Sequence, residues 1–144
     1  MTKTLIPVAV RVLLGGLFLM SGANKLVSFM PMPELPVDAG SFIGALAATG
    51  YFLPLLGSIE VVMGGLLISG RFVPLALTVL APIVVQIALF HVVLAPSFGL
   101  VAFVLGAELY LAWTYRAAFG PVLQAQLRPA TLTAGAHVTL PRAA

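Results

Sequence analysis

The sequence contains no cysteine. That absence removes dithiol exchange, cysteine-ligated iron–sulfur clusters, covalent haem attachment and a thiolate nucleophile together. Histidine is nearly as scarce: the chain has His91 and His137, and the second falls in a polar C-terminal stretch. An intrachain bis-histidine haem is therefore not expected, and no Glu-x-x-His pair of the carboxylate di-iron kind occurs. No metal site is expected. Charge is the third shortage, since only 8% of the 144 residues are Asp, Glu, Lys or Arg, against roughly a quarter in a soluble domain. The seven basic residues give a net charge of +3 but are scattered, so they form no patch for nucleic acid.

Apolar residues are what the chain has in abundance. They make up 61% of it, with a mean hydropathy of +1.16, which is the composition of a membrane protein. Apolar runs over 5–27, 52–69, 72–94 and 98–115 each approach the roughly 20 residues that a hydrocarbon layer of about 30 Å requires. Between the first two runs, Pro31, Pro33 and Pro36 rule out a regular helix. Asp38 then has the character of an N-cap for a short helix, Ala39 to Thr49, with Phe42, Ile43 and Leu46 at the membrane interface. Gly70-Arg71 makes a tight turn, and Pro82 should kink the third run or free a carbonyl.

The expected fold is all-α: an integral membrane four-helix bundle over residues 1–120, with a short interfacial helix in the first extracytoplasmic loop. Residues 121–144 read as a cytoplasmic tail, largely disordered. Lys3 and Ser21-Gly-Ala23 resemble parts of a cleavable signal, but the apolar run is too long and contains Arg11, so a retained span is expected. Lys3, Arg71, Arg116 and Arg128 fall on one side of alternating spans and Glu34 and Asp38 on the other. The positive-inside rule then puts both termini in the cytoplasm.

Buried charge is the main clue to function. With a rise of 1.5 Å per residue, Arg11 lies about 9 Å deep, Glu60 about 15 Å and Glu108 about 12 Å. An isolated charge at such depth is unfavourable by about 2.5 to 3.5 kcal/mol, so the expected arrangement is a polar layer in which Arg11 pairs with one or both carboxylates. Such a layer either fixes helix packing or relays protons. Arg11, Gly15, Phe18, Gly22 and Lys25 share one face of the first span, and Gly57, Glu60 and Gly64 share one of the second. Glycines beside a charge let two backbones approach closely.

A second polar group lies toward the far ends of the spans: Asn24, Lys25, Gln86 and His91. Lys25 either snorkels to headgroups or faces inward, and His91 either bonds a nearby carbonyl or lines a pocket. Gln86 is expected to face inward; His91 lies about 140° round the helix from it, so one pocket is expected to take both only if Pro82 distorts the span. With Phe18, Phe90 and Tyr110 as walls, these residues outline a candidate pocket for a lipophilic molecule with a polar head.

The words Arg11-Val-Leu-Leu-Gly-Gly-Leu-Phe, Ser21-Gly-Ala-Asn-Lys25, Phe42-Ile-Gly-Ala-Leu, Glu60-Val-Val-Met-Gly-Gly-Leu and Glu108-Leu-Tyr-Leu-Ala resemble the DoxX-like family of small bacterial inner-membrane proteins. The likeness runs from about Val8 to Phe119. It implies a four-span fold in the bacterial inner membrane and an association with quinone-linked oxidation; some relatives belong to oxidative-stress complexes. Arg11, Lys25, Glu60 and Glu108 are the matching polar positions, without an assigned catalytic role. A more distant similarity to four-helix quinone-linked thiol enzymes would imply cysteines, which this chain lacks.

The leading expectation is a quinone- or lipid-associated subunit of a membrane redox system, with no intrinsic cofactor and a redox protein as partner. Catalysis by the chain alone is not expected. A proton-coupled small-solute carrier and a non-catalytic membrane scaffold are the alternatives.

Overall fold

The computed structural model describes residues 2–31 and 34–120, the first three of these by backbone alone. The expected tail, 121–144, lies outside the described residues. The helices are α1 (Thr2–Val27), α2 (Val37–Ala48), α3 (Phe52–Ser69), α4 (Val73–Val93) and α5 (Phe98–Thr114), followed by a 3-10 turn at Arg116–Phe119. Among the described residues there is no strand. Among the described residues three stretches are long and apolar enough to cross a membrane, Leu5–Val27, Phe52–Ser69 and Val73–Val93; α5 is equally apolar but has 17 residues. In space α1 packs on α3, α3 on α4, α4 on α5, and α5 returns to α1, while α2 rests on α3.

Glycine spacing dictates the tightest contact. Gly15 and Gly22 on α1 and Gly57 and Gly64 on α3 are each seven residues apart, which keeps both pairs on one helix face. A Cβ added to Gly15 would stand 2.8 Å from the Gly64 carbonyl oxygen, and one on Gly57 would stand 2.8 Å from that of Gly22. The two helices are thus antiparallel and touch backbone to backbone, the small-residue contact that membrane helices favour. The second glycine of each Gly-Gly pair, Gly16 or Gly65, faces open space.

Leu14, Phe18, Leu67, Leu77, Leu80 and Leu111 fill the interior from the middle of the helices to the end that carries Gly70. At that end α3 stops because Gly70 turns left-handed, φ 74°, and its N–H closes on the Leu66 and Leu67 carbonyls. The Arg11 guanidinium lies directly against the Gly70 Cα, on the side where a Cβ would project. Gly50 has the same φ but open space around it. Gly50→Ala should therefore lose only the roughly 1 kcal/mol of left-handed strain. Gly70→Ala should lose more, and Arg11→Ala in the same chain should restore the excess. Thermal unfolding of the four proteins in detergent checks this.

One local expectation changes. Asp38 is not the N-cap of α2: Pro36 holds that position, its carbonyl accepting the first helical bond from Gly40 N–H at 2.9 Å. Asp38 sits in the first turn without a capping bond, where it faces the positive end of the helix dipole. Pro82 lies inside α4, which runs on past it to Val93.

Candidate ligand cavity

Among the described residues one ion pair, partly buried, joins Lys25 to Glu60, with Lys25 Nζ 2.7 Å from Glu60 Oε2. Lys25 Nζ also donates to Ser21 Oγ at 2.7 Å, one turn back on α1. Arg11 was expected in this role, and side-chain direction explains the change. A helical side chain leans toward the N-terminus of its own helix. Lys25 has its Cβ beside Gly57, one turn from Glu60 along α3, so on antiparallel helices Lys25 and Glu60 lean toward each other. Arg11 lies further along α1 on the far side of Glu60 and leans away from it, toward Gly70. Glu60 is 1% exposed and Lys25 25%.

The pair lies in the wall of a cavity of about 640 Å³. It occupies the half of the helices away from Gly70. Leu17 and Ser21 of α1, Leu53 and Leu56 of α3, Ile83 and Ile87 of α4, and Leu100 and Val104 of α5 line it. Helix α2 closes the top with Phe42, Ile43 and Leu46, and the Phe42 and Phe90 rings meet with centroids 6.0 Å apart. Pro82 and Gln86 line the cavity and are also exposed, so it opens sideways past α4. The lining is a hydrocarbon wall with few polar groups, the usual make-up of a small-molecule site.

A family model, DoxX, matches residues 6–92, more than half of the chain. The chain belongs to the DoxX family. Members are small membrane proteins, and the match takes in α1 to α4 with Arg11, Lys25, Glu60 and His91, leaving α5 and Glu108 beyond it. No curated protein and no solved structure matches the chain.

Within this DoxX fold the candidate residues separate into three groups. Lys25, Gln86, Phe90 and His91 line the cavity with Glu60. Gln86 and His91 both reach it because it wraps about half the circumference of α4. His91 Nδ1 is 2.8 Å from the Ile87 carbonyl; a carbonyl only accepts, so Nδ1 carries the hydrogen and Nε2 is left for other partners.

Phe18, Asn24 and Tyr110 do not line the cavity. Phe18 is wholly buried in the core and Tyr110 is exposed on α5. Asn24 Oδ1 accepts from Met30 N–H at 2.7 Å, tying down the chain where it leaves α1 with Ser28 at positive φ.

Arg11 and Glu108 complete neither an ion pair with each other nor one with Glu60 among the described residues. Glu108 is 6% exposed, and its Oε2, like Arg11 Nε, is buried without a hydrogen-bond partner. The expected single layer is therefore divided: one matched pair at the cavity and two separate groups nearer the Gly70 end. Ser21, which bonds Lys25 and lines the cavity, is the polar lining residue that sequence reasoning passed over. Its spacing of four from Lys25 was the available signal.

Proposed function

We propose that this DoxX protein is a four-span protein of the bacterial inner membrane that holds a lipophilic molecule with an oxygen-bearing head, a quinone or a neutral lipid, as a subunit of a membrane redox system. The observation that carries this reading is the apolar cavity with the Lys25–Glu60 pair in its wall. A matched pair is neutral as a whole. Lys25 has one N–H left after Glu60 and Ser21, and the Glu60 carboxylate has further lone pairs. A carbonyl suits the first and a hydroxyl the second, whereas an anionic head would compete with Glu60 for the ammonium and leave net charge in a low-dielectric site.

In this reading α5 is the fourth span and α2 lies at the outer interface as the cavity's roof. The Gly70 end is cytoplasmic, as are both termini. Trp113 at the same end, with the Arg116 guanidinium 4.7 Å from its ring centroid, suits a headgroup boundary. The sideways opening past Pro82 and Gln86 would admit a ligand from the bilayer. The filled core at the Gly70 end speaks against a carrier, which needs a second mouth there. Electrons would come from a redox partner.

Native mass spectrometry of the full chain in lipid nanodiscs, with an ultraviolet–visible spectrum, tests the reading. One quinone or neutral lipid per chain is expected, and Leu53→Trp, which fills the cavity, should release it while the helical fold persists. A chain that carries only bulk lipid, or a Leu53→Trp variant that keeps its ligand, would overturn it.

A further inference from the structure

We infer that His91 carries protons between the ligand cavity and the outer face of the membrane. This rests on the reading of the cavity as a ligand site. His91 is two residues from the end of α4 and lines two separate hollows. One is the cavity just described. The other, of about 330 Å³, lies on the outer face between the segment Glu34-Leu35-Pro36 and the turn Ala95-Pro96-Ser97. His91 is the one titratable residue shared by both linings.

The groups that face each side suit a relay. From the cavity these are Lys25 on α1 and Glu60 on α3; α2 and α5 contribute only apolar side chains to the lining. On the outer side Glu34 is an exposed carboxylate in the lining of the second hollow. The ring is half-buried and is held by its Nδ1 bond to Ile87 and by the edge of Phe90, centroids 5.1 Å apart. Nδ1 keeps its hydrogen whether the ring is neutral or charged, so both uptake and release run through Nε2.

The step balances with the redox partner proposed above. Oxidation of a bound quinol gives the quinone, two electrons to the partner and two protons. Each proton passes to Nε2 of the neutral ring and then to water beside Glu34, which restores the neutral ring. Reduction of a quinone runs the same route inward.

The test uses the full chain with His137→Gln, which leaves His91 as its sole histidine, labelled with ¹⁵N-histidine and reconstituted in liposomes. At fixed inner pH, lowering the outer pH should shift the Nε2 resonance toward that of a protonated nitrogen while Nδ1 stays protonated. Changing the inner pH alone should leave both unmoved. From the cavity side, the Nε2 resonance should shift on adding decylbenzoquinone, and also in Lys25→Gln or, if that variant does not fold, in Phe42→Ala. An Nε2 signal that ignores outer pH, or that is unmoved by every change on the cavity side, would overturn the relay. If decylbenzoquinone is not retained but the cavity variant shifts the signal, the relay stands and the ligand reading fails.

Discussion

Gly22→Ala and Gly57→Ala should each destabilise the fold by about 1–3 kcal/mol, the usual effect of forcing a methyl group into a packed interior. At Gly22 the added Cβ would fall 2.5 Å from the Gly57 carbonyl oxygen and 2.8 Å from the Glu60 Cβ. Backbone cannot rotate aside as a flexible side chain can, so α1 and α3 must separate. The Gly-Gly pairs contain their own controls. Gly15→Ala and Gly64→Ala should behave like Gly22→Ala, whereas Gly16→Ala and Gly65→Ala meet nothing within 4 Å and should be neutral or stabilising by up to about 1 kcal/mol through helix propensity. Denaturation midpoints in mixed detergent give the comparison. Equal effects at Gly15 and Gly16 would mean that α1 does not present this face to α3.

The second large effect belongs to the ion pair. Lys25→Met should destabilise the protein by about 3 kcal/mol, the lower end of the range for breaking a buried pair, because the Lys25 side chain is itself 25% exposed. The loss comes from Glu60, which would be left 1% exposed with a carboxylate and no cation. Lys25→Met combined with Glu60→Leu removes both charges and should recover most of the stability. Failure of the double variant to improve on Lys25→Met would show that the two side chains are not coupled.

Much of this protein was legible in its residues because a membrane restricts the choices. Long apolar runs punctuated by Pro31, Pro36 and Gly70 have few structures open to them other than helices, and the glycine spacing on α1 and α3 announced a close contact. The partner of Glu60 was less legible. Depth alone made Arg11 and Glu60 neighbours, but depth is counted at Cα, and two long side chains meet only if their helices' directions tilt them together. Lys25 satisfies that condition and Arg11 does not. Phe18 was misplaced for a related reason: it shares a face with Lys25, yet it lies two turns further toward Gly70, where Leu14 and Leu67 close around it. The roof was also hard to foresee. The apolar residues of α2 are consistent with lipid contact, and only its return over α3 and the Phe42–Phe90 contact make Phe42, Ile43 and Leu46 walls of a cavity. Ser21 needed the pair to be known first, since a serine in an apolar helix ordinarily bonds its own backbone.

The proposed function requires that the Lys25–Glu60 pair read the head of a ligand in the cavity. The most direct measurement is the affinity of decylbenzoquinone for the wild-type chain and for the Lys25→Met/Glu60→Leu double variant, by titration in nanodiscs with native mass detection. The apolar walls remain in the double variant and its fold should persist, so binding should be at least about tenfold weaker, the loss of one or two charge-assisted hydrogen bonds. A folded double variant that binds the quinone as tightly as the wild type would contradict the proposed function.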